Sequence, residues 1–179
     1  VATAAGMILL LPLLLTSFPY AIEVVISFML VFLLGGIIYL SRYEVPAKRK
    51  KSYIISSGIA AFTFVSIGVL MYFGYQDADI IFKKEGFEIT GMYGEEIAYE
   101  DIQKVELLEE MPKATVKVDG FGMSKIAKGR FKLVGYGTSL LFIQKGIPPY
   151  LHIETKDGHL FINSDNPEKT RSWEKKLAE

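Results

Sequence analysis

Two histidines and a run of cations are the side chains of this sequence best placed for chemistry. His152 and His159 are the only histidines. If Lys156 and Asp157 form a turn between them, Glu154 faces His159 and His152 faces Phe161 across a hairpin, all on one face. Two imidazoles beside a carboxylate are the donor set of a metal site. Neighbours on a solvent-facing sheet show the same spacing, and metal sites draw ligands from several elements, so no metal is assigned. The second cluster is Lys125, Lys128, Arg130 and Lys132, interleaved with Ile126 and Phe131 and bounded by glycines. It reads as a mobile basic loop with apolar anchors, suited to acidic head groups or an acidic peptide. The favoured reading of the same segment is an ordinary charged edge strand.

Other chemistries lack their parts. The chain has no cysteine, which excludes disulfide frameworks, zinc ribbons and thiol catalysis. There is no Gly-x-Ser-x-Gly elbow for a nucleophilic serine. Gly120-Phe121-Gly122 lacks a third glycine and a surrounding βαβ unit, so it reads as a flexible connection rather than a dinucleotide loop. The carboxylate pairs Glu95-Glu96, Glu100-Asp101 and Glu109-Glu110 read as solvated strand ends. No catalytic residue and no cofactor is expected.

The segments that must carry these residues divide by solvent. Val1–Ile22, Val24–Leu40 and Ser52–Gln76 are almost free of charge. Up to Gln76 there are 2 acidic and 5 basic residues, against 18 and 15 afterwards. Tyr53–Gly74 is long enough to cross roughly 30 Å of hydrocarbon at about 1.5 Å per residue, with Tyr53, Tyr72 and Tyr75 as interfacial aromatics. Ala21–Leu40 is the second expected span, entered through Pro19 and Tyr20, with Gly35-Gly36 open to close helix approach. Glu23 reads as a boundary residue. Val1–Phe18 reads as the tail of an incomplete first span rather than a signal peptide, because no small-residue cleavage site follows it. The expected membrane region is 1–77, with helices at 21–41 and 53–75.

Arg42, Lys48, Arg49, Lys50 and Lys51 occupy the loop Ser41–Ser52, and positive charge in short loops favours the cytoplasm. By parity, residues 78–179 are expected outside the cytoplasm. The cluster also suits anionic lipid; nucleic acid is not expected as a partner.

After Asp77 the period shortens. Ile80–Lys84 and Phe87–Tyr93 read as a hairpin turning at Glu85-Gly86. Strands follow at Ile97–Tyr99, Ile102–Glu109, Ala114–Val118, Thr138–Lys145, Tyr150–Thr155 and His159–Asn163, with Gly120, Gly122 and Gly129 in a glycine-rich connection. Gly158 supplies the positive φ of a tight hairpin. Asn166, Pro167 and Glu168 open a C-terminal helix that docks through Trp173 and Leu177.

About seven antiparallel strands and one closing helix is the order of a pleckstrin-homology-like barrel. The segments Glu88-Ile89-Thr90-Gly91-Met92-Tyr93-Gly94, Tyr99-Glu100-Asp101-Ile102, Gly120-Phe121-Gly122, Gly129-Arg130-Phe131-Lys132-Leu133, Tyr136-Gly137 and Ile162-Asn163-Ser164 together resemble the bacterial PH-like domains that stand behind transmembrane helices. The resemblance covers residues 78–179. It implies an α+β chain, with transmembrane helices followed by a PH-like split barrel and its helix, and it implies no catalytic residues. Lys83 and Lys84 share the first hairpin with Glu85 and Glu88, which argues against phosphoinositide binding there.

The expected protein is a non-enzymatic, multi-pass membrane module that binds a protein, peptide or lipid at the membrane surface, or its own copies. The alternative is a small transporter or immunity component whose helices form a pathway regulated by the domain.

Overall fold

The computed structural model describes residues 21–43 and 45–178. The expectation for Val1–Phe18 lies outside them. Contacts divide the chain after Tyr72 into two compact units.

In the first unit, helix α1 spans Ala21–Ser41 and helix α2 begins at Pro46 and runs to Tyr75. Pro46 suits a first helical position, since its missing N–H is one the helix would leave unpaired. The expected basic loop is therefore shorter: Lys48–Lys51 lie in the first turns of α2, and only Arg42 stays in the connection. Nothing from Ala47 to Ser52 breaks a helix, so α2 starts before its apolar run does. Four cations at a helix N-terminus oppose the macrodipole, so helix stability does not explain them. Arg49 offsets part of that cost by donating to the Arg42 carbonyl at 2.9 Å. Among the described residues, the helix Lys48–Tyr75 is long and apolar enough to cross a membrane, and Ile26–Leu40 is a shorter apolar stretch. Many large apolar side chains of both helices point outward, Phe62 being 75% exposed, while Ala60 of α2 is only 4% exposed.

The second unit contains nine strands and one further helix. β1 (Ile80–Phe82), β2 (Gly86–Ile89) and β3 (Glu96–Ala98) form an antiparallel sheet in the order β1-β2-β3. A single 3-10 turn, Tyr99–Asp101, leads into the larger sheet. Its strands are β4 (Ile102–Leu108), β5 (Ala114–Gly122), β6 (Ile126–Leu133), β7 (Gly137–Gln144), β8 (Tyr150–Thr155) and β9 (Gly158–Ile162). They lie in the order β4-β8-β9-β7-β6-β5.

Three expectations are corrected here. The described residues form nine strands rather than about seven. The two sheets do not close into a barrel. One pairing is parallel, Ser139–Phe142 of β7 against His159–Ile162 of β9, because the β8–β9 hairpin inserts between β4 and β7.

Alternation along the strands of the large sheet builds a core on each face. Leu151, Ile153, Leu160, Ile162 and Phe142 pack with Ile80, Phe87 and Ile89 of the small sheet. Each such side chain contributes roughly 1.5–3 kcal/mol when fully buried. The odd-even partners Leu141, Ile143, Tyr150 and Phe161 join Ala127, Phe131 and Leu133 on the other face.

Helix α3 (Pro167–Ala178) follows the expected signals. Asn166 Oδ1 accepts the Glu168 N–H at 3.0 Å, and Trp173, 3% exposed, enters the inter-sheet core with Leu177 beside it. The fully buried Thr170 hydroxyl also accepts the Ser164 N–H at 3.0 Å, which ties the helix start to the end of β9.

Candidate functional site

The cations Lys125–Lys132 are not a loop. Lys125 precedes β6, and the other three lie within that strand, which is interior because β5 and β7 flank it. It is therefore not an edge strand either. Alternation puts Lys128, Arg130 and Lys132 on one face, opposite Phe142, Leu140 and Thr138 of β7. Their environments then diverge. Lys128 is 2% exposed, and its ammonium donates to the Gln76 carbonyl. Burial holds its pKa below the usual lysine range, with Asp77 pulling back upward. Arg130 is exposed and stands 3.6 Å from the Asp119 carboxylate. Lys132 is exposed at the far end of the row. The structure thus aligns three of the four residues but withdraws Lys128 from the surface.

The glycines expected in a flexible connection lie inside strands. Gly120 of β5 faces Gly129 of β6. Their φ angles are 145° and 105°, values that L side chains rarely adopt. A Cβ on Gly129 would stand 2.6 Å from the Gly120 Cα, so the two backbones approach where no side chain fits.

Arg130 opens onto a cleft of about 310 Å³ where the two sheets stay apart. Glu95, Glu96 and Ile97 border it from the small sheet, and Thr138, Leu140, Thr155, Asp157 and His159 from the large one. Four carboxylates, those of Glu95, Glu96, Asp101 and Asp157, line it with a single guanidinium. Glu96 is 3.1 Å from Lys83, and Asp101 is 2.8 Å from Lys156. β3, which borders this cleft, has a hydrogen-bonded neighbour on one side only.

The histidine hairpin has the expected register, with His152 opposite Phe161, Glu154 opposite His159, and Gly158 at φ 140°. Its surroundings are not the expected solvent-facing ones. His152 is 2% exposed, stacks on Phe161 at 4.6 Å and meets the edge of Tyr136 at 5.0 Å. His152 Nδ1 lies 2.9 Å from Glu106 Oε1, and its Nε2 lies 3.1 Å from His159 Nδ1. With both rings neutral, one arrangement satisfies both contacts: His159 Nδ1–H donates to His152 Nε2, and His152 Nδ1–H donates to Glu106. Burial pushes the His152 pKa down, against the opposing pull of the Glu106 carboxylate. Lys104, 2.7 Å from Glu106, is the larger cause of that carboxyl's lowered pKa, and His152 the second. Among the described residues, no group of three His, Cys, Asp or Glu side chains is arranged to hold a metal ion.

Residues 78–176 match the family described as Bacterial PH domain. The chain belongs to this family. No curated protein and no solved structure matches the chain.

In this bacterial PH domain, sequence reading missed Glu106 and Tyr136 as partners of the histidines. Glu106 lies 46 residues before His152 in the chain, and only the β4–β8 pairing, which sets Glu106 against His152, brings them together. The available signal was alternation: Glu106 breaks the apolar run of β4 on the face that carries Leu108. The cleft had no comparable signal, because its carboxylates come from three separate turns and the edge strand β3.

Proposed function

We propose that this protein is a membrane-held binding module whose PH domain takes an extended, basic segment of a protein partner in the cleft between its sheets. Residues 1–77 serve as the membrane region and 78–179 as the binding domain, with no catalytic step. PH domains are generally non-enzymatic binding modules, and the apolar helix Lys48–Tyr75 supports the membrane assignment. The observation that carries the ligand class is the pairing of an acidic lining with the open edge of β3. A strand added there would satisfy backbone N–H and C=O groups whatever its sequence, while Glu95 and Asp157 would select cationic side chains. Tethering raises the local concentration of such a partner, so a modest affinity suffices.

The test uses the full chain in phosphatidylcholine nanodiscs with two fluorescent decapeptides of equal apolar content, one basic and one acidic. The basic peptide is expected to bind, and the double variant E95K/D157K to weaken it by roughly tenfold or more, since each desolvated charge contact is worth on the order of 1 kcal/mol. Equal binding of both peptides, or no effect of the double variant, would refute the reading.

Lys48, Arg49, Lys50 and Lys51, with Arg42, are proposed as the cytoplasmic charge cluster that also meets anionic head groups, which sets the PH domain on the extracytoplasmic side. Single cysteines in this cysteine-free chain test it. Ser164 is buried, so the outer reporter is placed at Glu168, 85% exposed, and the inner one at Lys50. An impermeant maleimide on intact cells is expected to label E168C and spare K50C; the reverse pattern places the domain in the cytoplasm.

A further inference from the structure

The face of the large sheet turned away from the small sheet carries a second concavity. It holds about 280 Å³ and is lined by Met111, Phe131, Leu133, Leu141 and Ile143, with Lys145 and Tyr150. It is distinct from the cleft: Leu140 and Leu160 border the cleft, whereas the next residue in each strand, Leu141 or Phe161, belongs to the opposite core. The connection from β4 to β5 passes over one side through Met111 and Pro112, and the proline stiffens it.

Its polar groups all point to one kind of ligand atom. No acidic residue lines the groove, and its one charge is the Lys145 ammonium. Lys145 is exposed and reaches the Met123 carbonyl at 2.6 Å, which places its charge beside the end of β5. Tyr150 is 5% exposed, and its hydroxyl oxygen already accepts the Gly146 N–H at 3.0 Å. A hydroxyl whose oxygen is engaged in this way has a proton left to give. An apolar trough bordered by a cation and a hydroxyl donor is complementary to a molecule with an apolar tail and an acceptor head.

We propose that this groove binds a single-chain fatty carboxylate, with the hydrocarbon lying along Phe131, Leu141 and Ile143 and the carboxylate meeting Lys145 and Tyr150. The groove's volume of about 280 Å³ suits one hydrocarbon chain. The site stands independently of the cleft and its peptide.

The probe is a photoactivatable dodecanoic acid added to the full chain in phosphatidylcholine nanodiscs, with adducts mapped by mass spectrometry. Adducts are expected on peptides containing Met111, Phe131 or Tyr150. Unlabelled dodecanoate should displace the probe at a concentration roughly tenfold below that of dodecanol, the difference one charged contact makes. K145Q, at an exposed side chain, should erase that difference, and A127L, which grows into the groove, should abolish the adducts. Circular dichroism checks that A127L is folded, and K145Q decides the matter if it is not. Adducts confined to residues 21–75, equal competition by acid and alcohol, or an unchanged preference in K145Q would overturn the proposal. Binding of the basic decapeptide tests the cleft separately.

Discussion

Replacing Gly129 by alanine is expected to destabilise the PH domain by about 3 kcal/mol, the sum of a strained backbone conformation and a backbone overlap. The overlap has no soft partner: the new Cβ would meet the Gly120 Cα at 2.6 Å and the Asp119 carbonyl oxygen at 2.7 Å. A domain of this size has only about 5–15 kcal/mol in hand, so the loss is large. Gly135 is the internal control. Its φ is 85°, but nothing lies within 4 Å of its Cβ position, so G135A carries the conformational cost alone, about 1 kcal/mol. Both are measured by urea unfolding of the full chain in detergent. The single tryptophan, Trp173, sits in the inter-sheet core and reports that domain. Equal shifts for G129A and G135A would show that the close approach of β5 and β6 carries no energy.

The second large effect is a loss of stability on mild acidification. His152 has a folded pKa below its ordinary value of 6.5, with burial as the main cause. The unfolded chain therefore binds more protons than the folded one once the pH falls below that value. Stability is full above it and declines toward the folded pKa, by at most about 1.4 kcal/mol per pH unit for one group. The groups facing the imidazole are Glu106 and, through it, Lys104 from β4, His159 from β9, and the rings of Tyr136 and Phe161. A proton on His152 Nε2 removes the acceptor for His159, so the His–His contact breaks as the charge arrives. Glu106 acts in a separate, lower window. Its folded pKa is depressed, so its contribution is present above the ordinary carboxylate pKa of 4.5 and is lost as the pH falls through the folded value. Urea midpoints between pH 7.5 and 5 should fall in the parent chain. In H152F the slope should be at least halved, while H159Q should keep it. An unchanged slope in H152F would assign the acid sensitivity elsewhere.

Sequence reading located the elements wherever local chemistry sets them. The first hairpin turn, which falls one residue before the expected Glu85-Gly86, the Lys156-Asp157-Gly158 hairpin with its register, and the Asn166 cap followed by Pro167 all depend on residues within a few positions of one another. Strand β6 was legible as a charged edge strand but not as an interior one, because its pattern is mixed. Ile126-Ala127-Lys128-Gly129 is buried without a break, and a lysine beside a glycine looks like a solvated loop when the carbonyl that receives its ammonium, that of Gln76, lies 52 residues away. The parallel β7–β9 pair was illegible for a related reason. A hairpin fixes β8 against β9, but nothing local indicates that β9 will take β7 as its second neighbour. The start of α2 lies seven residues before the expected Tyr53, because an apolar run marks a membrane span while a helix continues until something breaks it.

The position of β9 between β8 and β7 has a consequence for biosynthesis. A nascent chain released only as far as Thr155 holds β5, β6 and β7 as one meander and β4 with β8 as another pair, with no strand pairing between the two groups. The large sheet becomes one body only when the last strand, Gly158–Ile162, leaves the ribosome and joins both groups. The large sheet therefore becomes continuous only with its last strand, and truncation before Gly158 would leave two half-sheets in place of a shortened whole.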